Sequence, residues 1–189
     1  MRKITLLTLF ILIAATSNIF AQERKNVVKV NLFSFAASTF NFAYERALNE
    51  KTSVQLDAAY TGASAGGYKY TGYQIQPEVR FYFSEKGAPS GFYVAPFARY
   101  RSLKVSESYS DAYGNSVTDK ITWNSVGGGL VVGGQWIFGG RVALGVFGGP
   151  AYYAHTLKAV GNANADSFSV KGGTGGFAFR SGVTLGVAF

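Results

Sequence analysis

The last seven residues, Val183, Thr184, Leu185, Gly186, Val187, Ala188 and Phe189, alternate large apolar side chains with small or weakly polar ones and stop on an aromatic. Strict alternation is the period of a strand with one greasy face. Left at the edge of a sheet, such a strand offers a full row of unpaired backbone donors and acceptors to any other chain. Sealing the last strand against the first removes that edge, so the ending predicts a sheet closed into a barrel.

The other end carries Arg2 and Lys3, an apolar run over residues 4–15, and a short polar-to-small stretch ending at Ala21. This is the layout of a secretory signal peptide. Its apolar run falls short of the ~20 residues that a spanning helix needs. We expect cleavage after Ala21, with Ile19 a bulky minus-three residue, leaving one barrel domain over 22–189. Losing Arg2 and Lys3 takes the formal charge from +8 to +6. No later segment is apolar enough to cross a bilayer as a helix, and only helices or closed barrels satisfy all backbone groups in lipid. Cysteine is absent, which excludes disulfides, zinc-thiolate sites and cysteine nucleophiles. After the leader no basic run is longer than Arg24-Lys25, so the clustered charge of a nucleic-acid interface is missing.

Alternating residues bounded by turn formers predict strands at 27–35, 39–47, 53–61, 73–83, 92–105, 123–138, 141–156 and 177–189. The connections 48–52, 84–91 and 139–140 are short to moderate. Those at 62–72, 106–122 and 157–176 are long and rich in Gly, Ser, Asn and Asp. Short turns at one end and long loops at the other characterise outer-membrane barrels, although the connection 34–38 is brief for its side. The expected fold is all-β: an eight-stranded antiparallel transmembrane up-and-down β-barrel. Pro77, Pro96 and Pro150 fall inside strands, where each removes a ladder donor, and a bulge shared by Pro77 and Pro96 is expected to absorb two of them.

Alternation alone does not say which face is wet, since a soluble ligand-carrying barrel alternates too. The partner face decides. Gln74, Gln76, Glu78, Arg80 and Tyr82 oppose Tyr73, Ile75, Pro77, Val79, Phe81 and Phe83, and the small residues of 178–188 oppose Phe177, Phe179, Val183, Leu185, Val187 and Phe189. Small residues mixed with a few charges suit the cramped interior of a narrow barrel, with lipid outside. Inward parity collects Glu45, Asp57, Glu78, Arg80, Arg99 and Arg180, with Gln55, Gln76 and Gln135 around them. The expectation is a plug of paired charges; an ion path or acid-base site is the rival. Aromatics near strand ends predict two girdles at headgroup depth. Tyr44, Phe83, Trp136, Phe138 and Phe189 would lie beside the short turns, and Tyr60, Tyr73, Trp123, Tyr152 and Phe177 beside the long loops.

Catalytic signals are thin. His155, the single histidine, is expected at the rim or in the girdle. Leu157 stands where outer-membrane lipid A deacylases carry a serine two residues after their histidine. No serine has a strand-to-helix elbow, and the glycines at 127–129, 133–134 and 172–176 lack the Lys-Ser/Thr of a phosphate loop. We expect no catalytic residue, no cofactor and no metal.

The stretches 29–33 (KVNLF), 42–46 (FAYER), 72–83 (GYQIQPEVRFYF) and 88–94 (APSGFYV) resemble a family of small exported barrels known only as a domain of unknown function. The likeness spans most of the mature chain, and its strongest pieces are Tyr-Glu-Arg at 44–46 and Pro-Glu-Val-Arg-x-Tyr at 77–82. It implies an eight-stranded barrel of the outer membrane with no established activity. Val187 and Phe189 match the barrel-assembly signal, but Thr184 occupies the position, five residues before the final aromatic, where that signal has glycine. The expected partners are outer-membrane lipid, lipopolysaccharide and the assembly machinery; no loop partner is implied. The expected role is structural or recognitional, its rivals a narrow pore, an outer-membrane enzyme and a soluble exported carrier of an apolar ligand.

Overall fold

The structure, a computed structural model, describes residues 25–36, 38–110, 116–160, 169–170 and 175–189; the expected signal peptide lies outside the described residues. The elements are β1 (Asn26–Asn31), α1 (Leu32–Ala36), β2 (Thr39–Ala47), β3 (Thr52–Ala65), β4 (Tyr68–Tyr82), β5 (Gly91–Ser110), β6 (Ser116–Phe138), β7 (Val142–Val160), β8 (Ser169–Val170) and β9 (Gly176–Ala188). Every pairing is antiparallel, and β9 joins β7 to β1 while β6 joins β7, so eight strands form a closed ring. The two-residue β8 hangs on β7. Closure uses the C-terminal alternation directly: Val187 faces Val28, Leu185 faces Val30, and the amides of Phe189 and Asn26 donate to each other's carbonyls at 2.9 and 3.1 Å. No edge remains in the ring.

The polarity of the barrel is inverted. Phe179 and Phe83 are 74% and 72% exposed on the outside, whereas Glu78 and Arg80 are each 2% exposed within. The outward residues Tyr73 to Phe83 cover roughly 34 Å of strand at ~3.4 Å per residue, or roughly 24 Å of height at a tilt of ~45°, close to the ~25 Å apolar band of an outer-membrane barrel.

Two expected loops are largely strand, and a third begins as one. Residues 62–72 continue the β3–β4 ladder to the pair Ala65 and Tyr68, turned by Gly66 and Gly67 alone at φ 60° and 84°. A two-residue turn with positive φ at both positions suits Gly-Gly, and its twist matches the flanking strands. The segment 106–122 extends β5 and β6 to the pair Ser110 and Ser116, and 157–176 extends β7 to Val160. At 20, 23 and 19 residues, β5, β6 and β7 are about twice the ~9–11 that span a bilayer, so they stand out from one rim as a wall.

Elsewhere an expected strand breaks early. The Asn31 side chain accepts from the Phe33 amide at 3.0 Å and the Ser34 hydroxyl donates to the Asn31 carbonyl at 2.6 Å, turning the chain into α1 where 27–35 was read as strand. The bulge expected at Pro77 and Pro96 is absent. The β4–β5 register is unchanged on both sides, Ile75 facing Tyr100 and Glu78 facing Phe97, with ladder pairs missing only around the prolines. Both imino nitrogens turn toward this one seam, while Pro77 keeps its place opposite Leu56 and Pro96 opposite Leu130. Pro150 likewise interrupts only the β6 side and faces Phe179 regularly on the other.

Candidate functional site

The lumen is filled by side chains, and it is divided. On the wall made by β1 to β4 the inward residues are mostly polar, among them Lys29, Glu45, Asp57, Gln76, Glu78 and Arg80; on the wall made by β5 to β7 most are apolar or aromatic, Tyr93, Ala95, Phe97, Val131, Phe147, Ala151 and Tyr153, beside the polar Arg99 and Gln135. Small cross-strand partners make room for the long charged ones. Lys29 faces Ala43 and Gly186, and Arg80 faces Ser53.

A continuous ionic chain crosses the lumen. Lys29 pairs with Glu45. Arg80 bridges Glu45 at 3.1 Å and Glu78 at 2.7 Å, and Arg180 reaches Glu78 at 2.8 Å. Glu45 also accepts from the Ser53 and Tyr82 hydroxyls at 2.5 and 2.6 Å. Gln135 ties the chain to the terminal rim: its oxygen accepts from Lys29 at 2.6 Å and its amide donates to the Pro89 carbonyl at 2.7 Å. Arg80, Arg180 and Arg99 are also held by the aromatic wall. Arg80 stacks 4.3 Å from Tyr93, Arg180 4.3 Å from Phe147, and Arg99 5.1 Å from Tyr153, contacts that strengthen when water is excluded. A plug of this kind is costly to break at one point, because the stranded partner stays buried.

Of the six interior residues expected, Glu45, Glu78, Arg80 and Arg180 form this chain. Arg99 and Asp57 face the lumen but join none of these four pairs. Arg99 Nε donates to Gln76 Oε1 at 2.8 Å, and Asp57 Oδ1 is buried without a partner. Sequence reasoning passed over Lys29 and Ser53, and put Tyr82 on the inward face without joining it to the charges. The signal for Lys29 was available in its place between the outward Val28 and Val30.

Outside, Tyr44, Phe83, Trp136, Phe138 and Phe189 ring the terminal rim, with Trp136 edge-on to Phe92 at 5.8 Å and the Tyr44 hydroxyl bonded to Asn26. Tyr60 pairs across the strands with Tyr73, which touches Tyr100 at 6.0 Å, and Tyr152 packs on Phe177 at 5.2 Å, forming the second belt. Trp123 does not belong to it. It shares the inward parity of Ser125, faces Leu103 and Leu157 across the ladders, and sets its ring edge-on to His155 at 5.2 Å. His155, expected at the rim or in the girdle, therefore also faces the lumen, with Nδ1 buried and unpartnered. Val187 lies on the β1–β9 seam and Phe189 is exposed below it; Thr184, opposite Asn31, points inward beside Gly145. Among the described residues no three histidine or carboxylate side chains gather to hold a metal.

The family described as "Protein of unknown function (DUF3575)" matches residues 7–169 of the 189. The chain belongs to DUF3575. No curated protein matches the DUF3575 chain. Among solved structures, a major outer membrane protein from Thermus thermophilus is similar to it at TM-score 0.51 and 17% identity, over 87% of this chain and 98% of that one, which shows a common fold. Looser matches are Acinetobacter baumannii CarO (TM-score 0.42, 12% identity, 91% and 99% covered) and the N-terminal β-barrel domain of Pseudomonas aeruginosa OprF (0.36, 10%, 88% and 98%).

Proposed function

We propose that this DUF3575 chain is an integral outer-membrane protein, exported by a signal peptide cleaved after Ala21, whose plugged barrel anchors a projecting wall of strands for a structural or surface-recognition role. The observation that carries this reading is the inverted polarity: an unbroken apolar band with aromatic belts outside, and an ionic chain with almost no exposed atoms inside. In water such a band would be an aggregation surface; in lipid it is the favoured face. Lipid and lipopolysaccharide are the partners that fit the band, and Val187 and Phe189 are the residues that the assembly machinery would read. The plug supports a non-conducting, non-catalytic barrel over a pore or an enzyme, because its carboxylates are committed to arginines and lysine.

Cell fractionation tests this. The protein is expected in the detergent-extracted outer membrane, with gel mobility that changes on boiling as a closed barrel unfolds. Recovery in the soluble periplasmic fraction would overturn the reading and favour the apolar-ligand carrier.

A further inference from the structure

Beyond the plug, at the end of the lumen away from Asn26 and Phe189, two cavities share Arg99 and Arg101 as a common wall. The larger holds about 400 Å³ and is bounded by Leu103, Trp123, Tyr153 and His155. Two of its lining residues carry buried polar atoms without hydrogen-bond partners, the Tyr153 hydroxyl and His155 Nδ1, and Tyr153 is only 7% exposed. An unmet buried hydroxyl costs about 1–3 kcal/mol, a penalty that a ligand oxygen removes. Charge is incompletely matched as well, since Asp57, on the side of the smaller cavity, is the carboxylate that attracts Arg99. Lys29, Arg80 and Arg180 are carried by Glu45 and Glu78, whereas Arg99 is held by an amide and two rings, and Arg101 joins no ion pair among the described residues. Asp57 lines only the smaller cavity, of about 180 Å³.

We propose that the larger cavity binds a small organic anion with a flat apolar body, of the aryl carboxylate class. Arg99 and Arg101 receive the carboxylate, the Tyr153 hydroxyl and His155 Nδ1 complete its hydrogen bonds, and Trp123 with Leu103 covers the ring. Guanidinium pairs with carboxylates in planar geometry, and a mostly apolar pocket with a few convergent polar groups is the usual form of a small-molecule site. The inference rests on the closed lumen alone and does not require that the outer band meet lipid.

The two tryptophans make the test direct. In a Trp136→Phe background Trp123 is the sole indole and reports on the cavity. Titrating the full chain in detergent with 2-naphthoate is expected to quench Trp123 saturably, while the uncharged 2-naphthamide, which partitions into micelles similarly, does not. Arg101→Gln, on an exposed side chain, is expected to raise the apparent Kd by about tenfold or more, the scale of one charge-assisted contact. Tyr153→Phe should weaken binding less. Boiling-dependent gel mobility checks that every variant is a closed barrel. Equal responses to acid and amide, no saturable quenching, or unchanged affinity in Arg101→Gln would overturn the proposal while leaving the outer-membrane reading untouched.

Discussion

Glu45 accepts hydrogen bonds from five side chains, Lys29, Ser53, Arg80, Tyr82 and Gln135, and has no exposed surface. A neutral amide cannot accept from all of them and leaves two cations undercompensated. Glu45→Gln is therefore expected to cost about 3–5 kcal/mol of unfolding free energy, the range for breaking a buried ion pair at one partner. Lys29→Met should cost less, about 1–3 kcal/mol, because Arg80 and three neutral donors still hold the carboxylate. Urea unfolding of vesicle-inserted protein, followed by tryptophan emission, measures both; equal midpoints for Glu45→Gln and the parent would remove the plug as a source of stability. The carboxylates and arginines of this network were legible in the sequence from parity alone, since charge on one face of an otherwise greasy strand has nowhere else to go. Lys29 was harder because Val27, on the same face, is also buried at the rim, so β1 has no cleanly polar side. Trp123 was misplaced because its height along the axis suits a girdle, and height says nothing about which face a ring occupies.

At the scale of elements, alternation located all eight barrel strands, and where it cut strands short the reason is compositional. The outer parts of β3 to β6 mix Gly, Ala, Ser, Thr and Tyr with charged residues, so neither face is consistently apolar and the period-2 signal fades although the ladder continues. Composition marked these stretches as loops; only the Gly66-Gly67 pair, two residues suited to a tight hairpin turn, indicated otherwise. Glycine acts differently in the seam between β6 and β7. A Cβ at Gly129 would strike the Pro150 carbonyl and Ala151 of the neighbouring strand. These are backbone and short side-chain atoms that cannot swing aside. Gly129→Ala is thus expected to lower the folded fraction severalfold, read as loss of the boiling-sensitive gel band, whereas Ala98→Gly on the outward face of β5 should leave that band unchanged within error.

For the whole molecule, the two rims differ in a way that fixes an orientation. The start of β1, the end of β9 and the connections at 48–51, 83–90 and 139–141 share one rim, and the long ends of β5, β6 and β7 rise from the other. In outer-membrane barrels short turns face the periplasm, so the strand wall and the arginine-lined cavity behind it would open to the outside, where a ligand arrives by diffusion without crossing the plug. Because the chain has no cysteine, single cysteines report this orientation without background. Ser64→Cys, near the Gly66-Gly67 turn, is expected to react with a membrane-impermeant maleimide on intact cells. Glu85→Cys, in the connection after β4, should react only once the outer membrane is permeabilised. Both positions are on exposed turns or strand ends remote from the ionic chain, so neither substitution should disturb closure. Reversed labelling would turn the wall toward the periplasm and make any ligand of the cavity a periplasmic one; labelling of both sites on intact cells would show that the barrel does not separate two compartments at all.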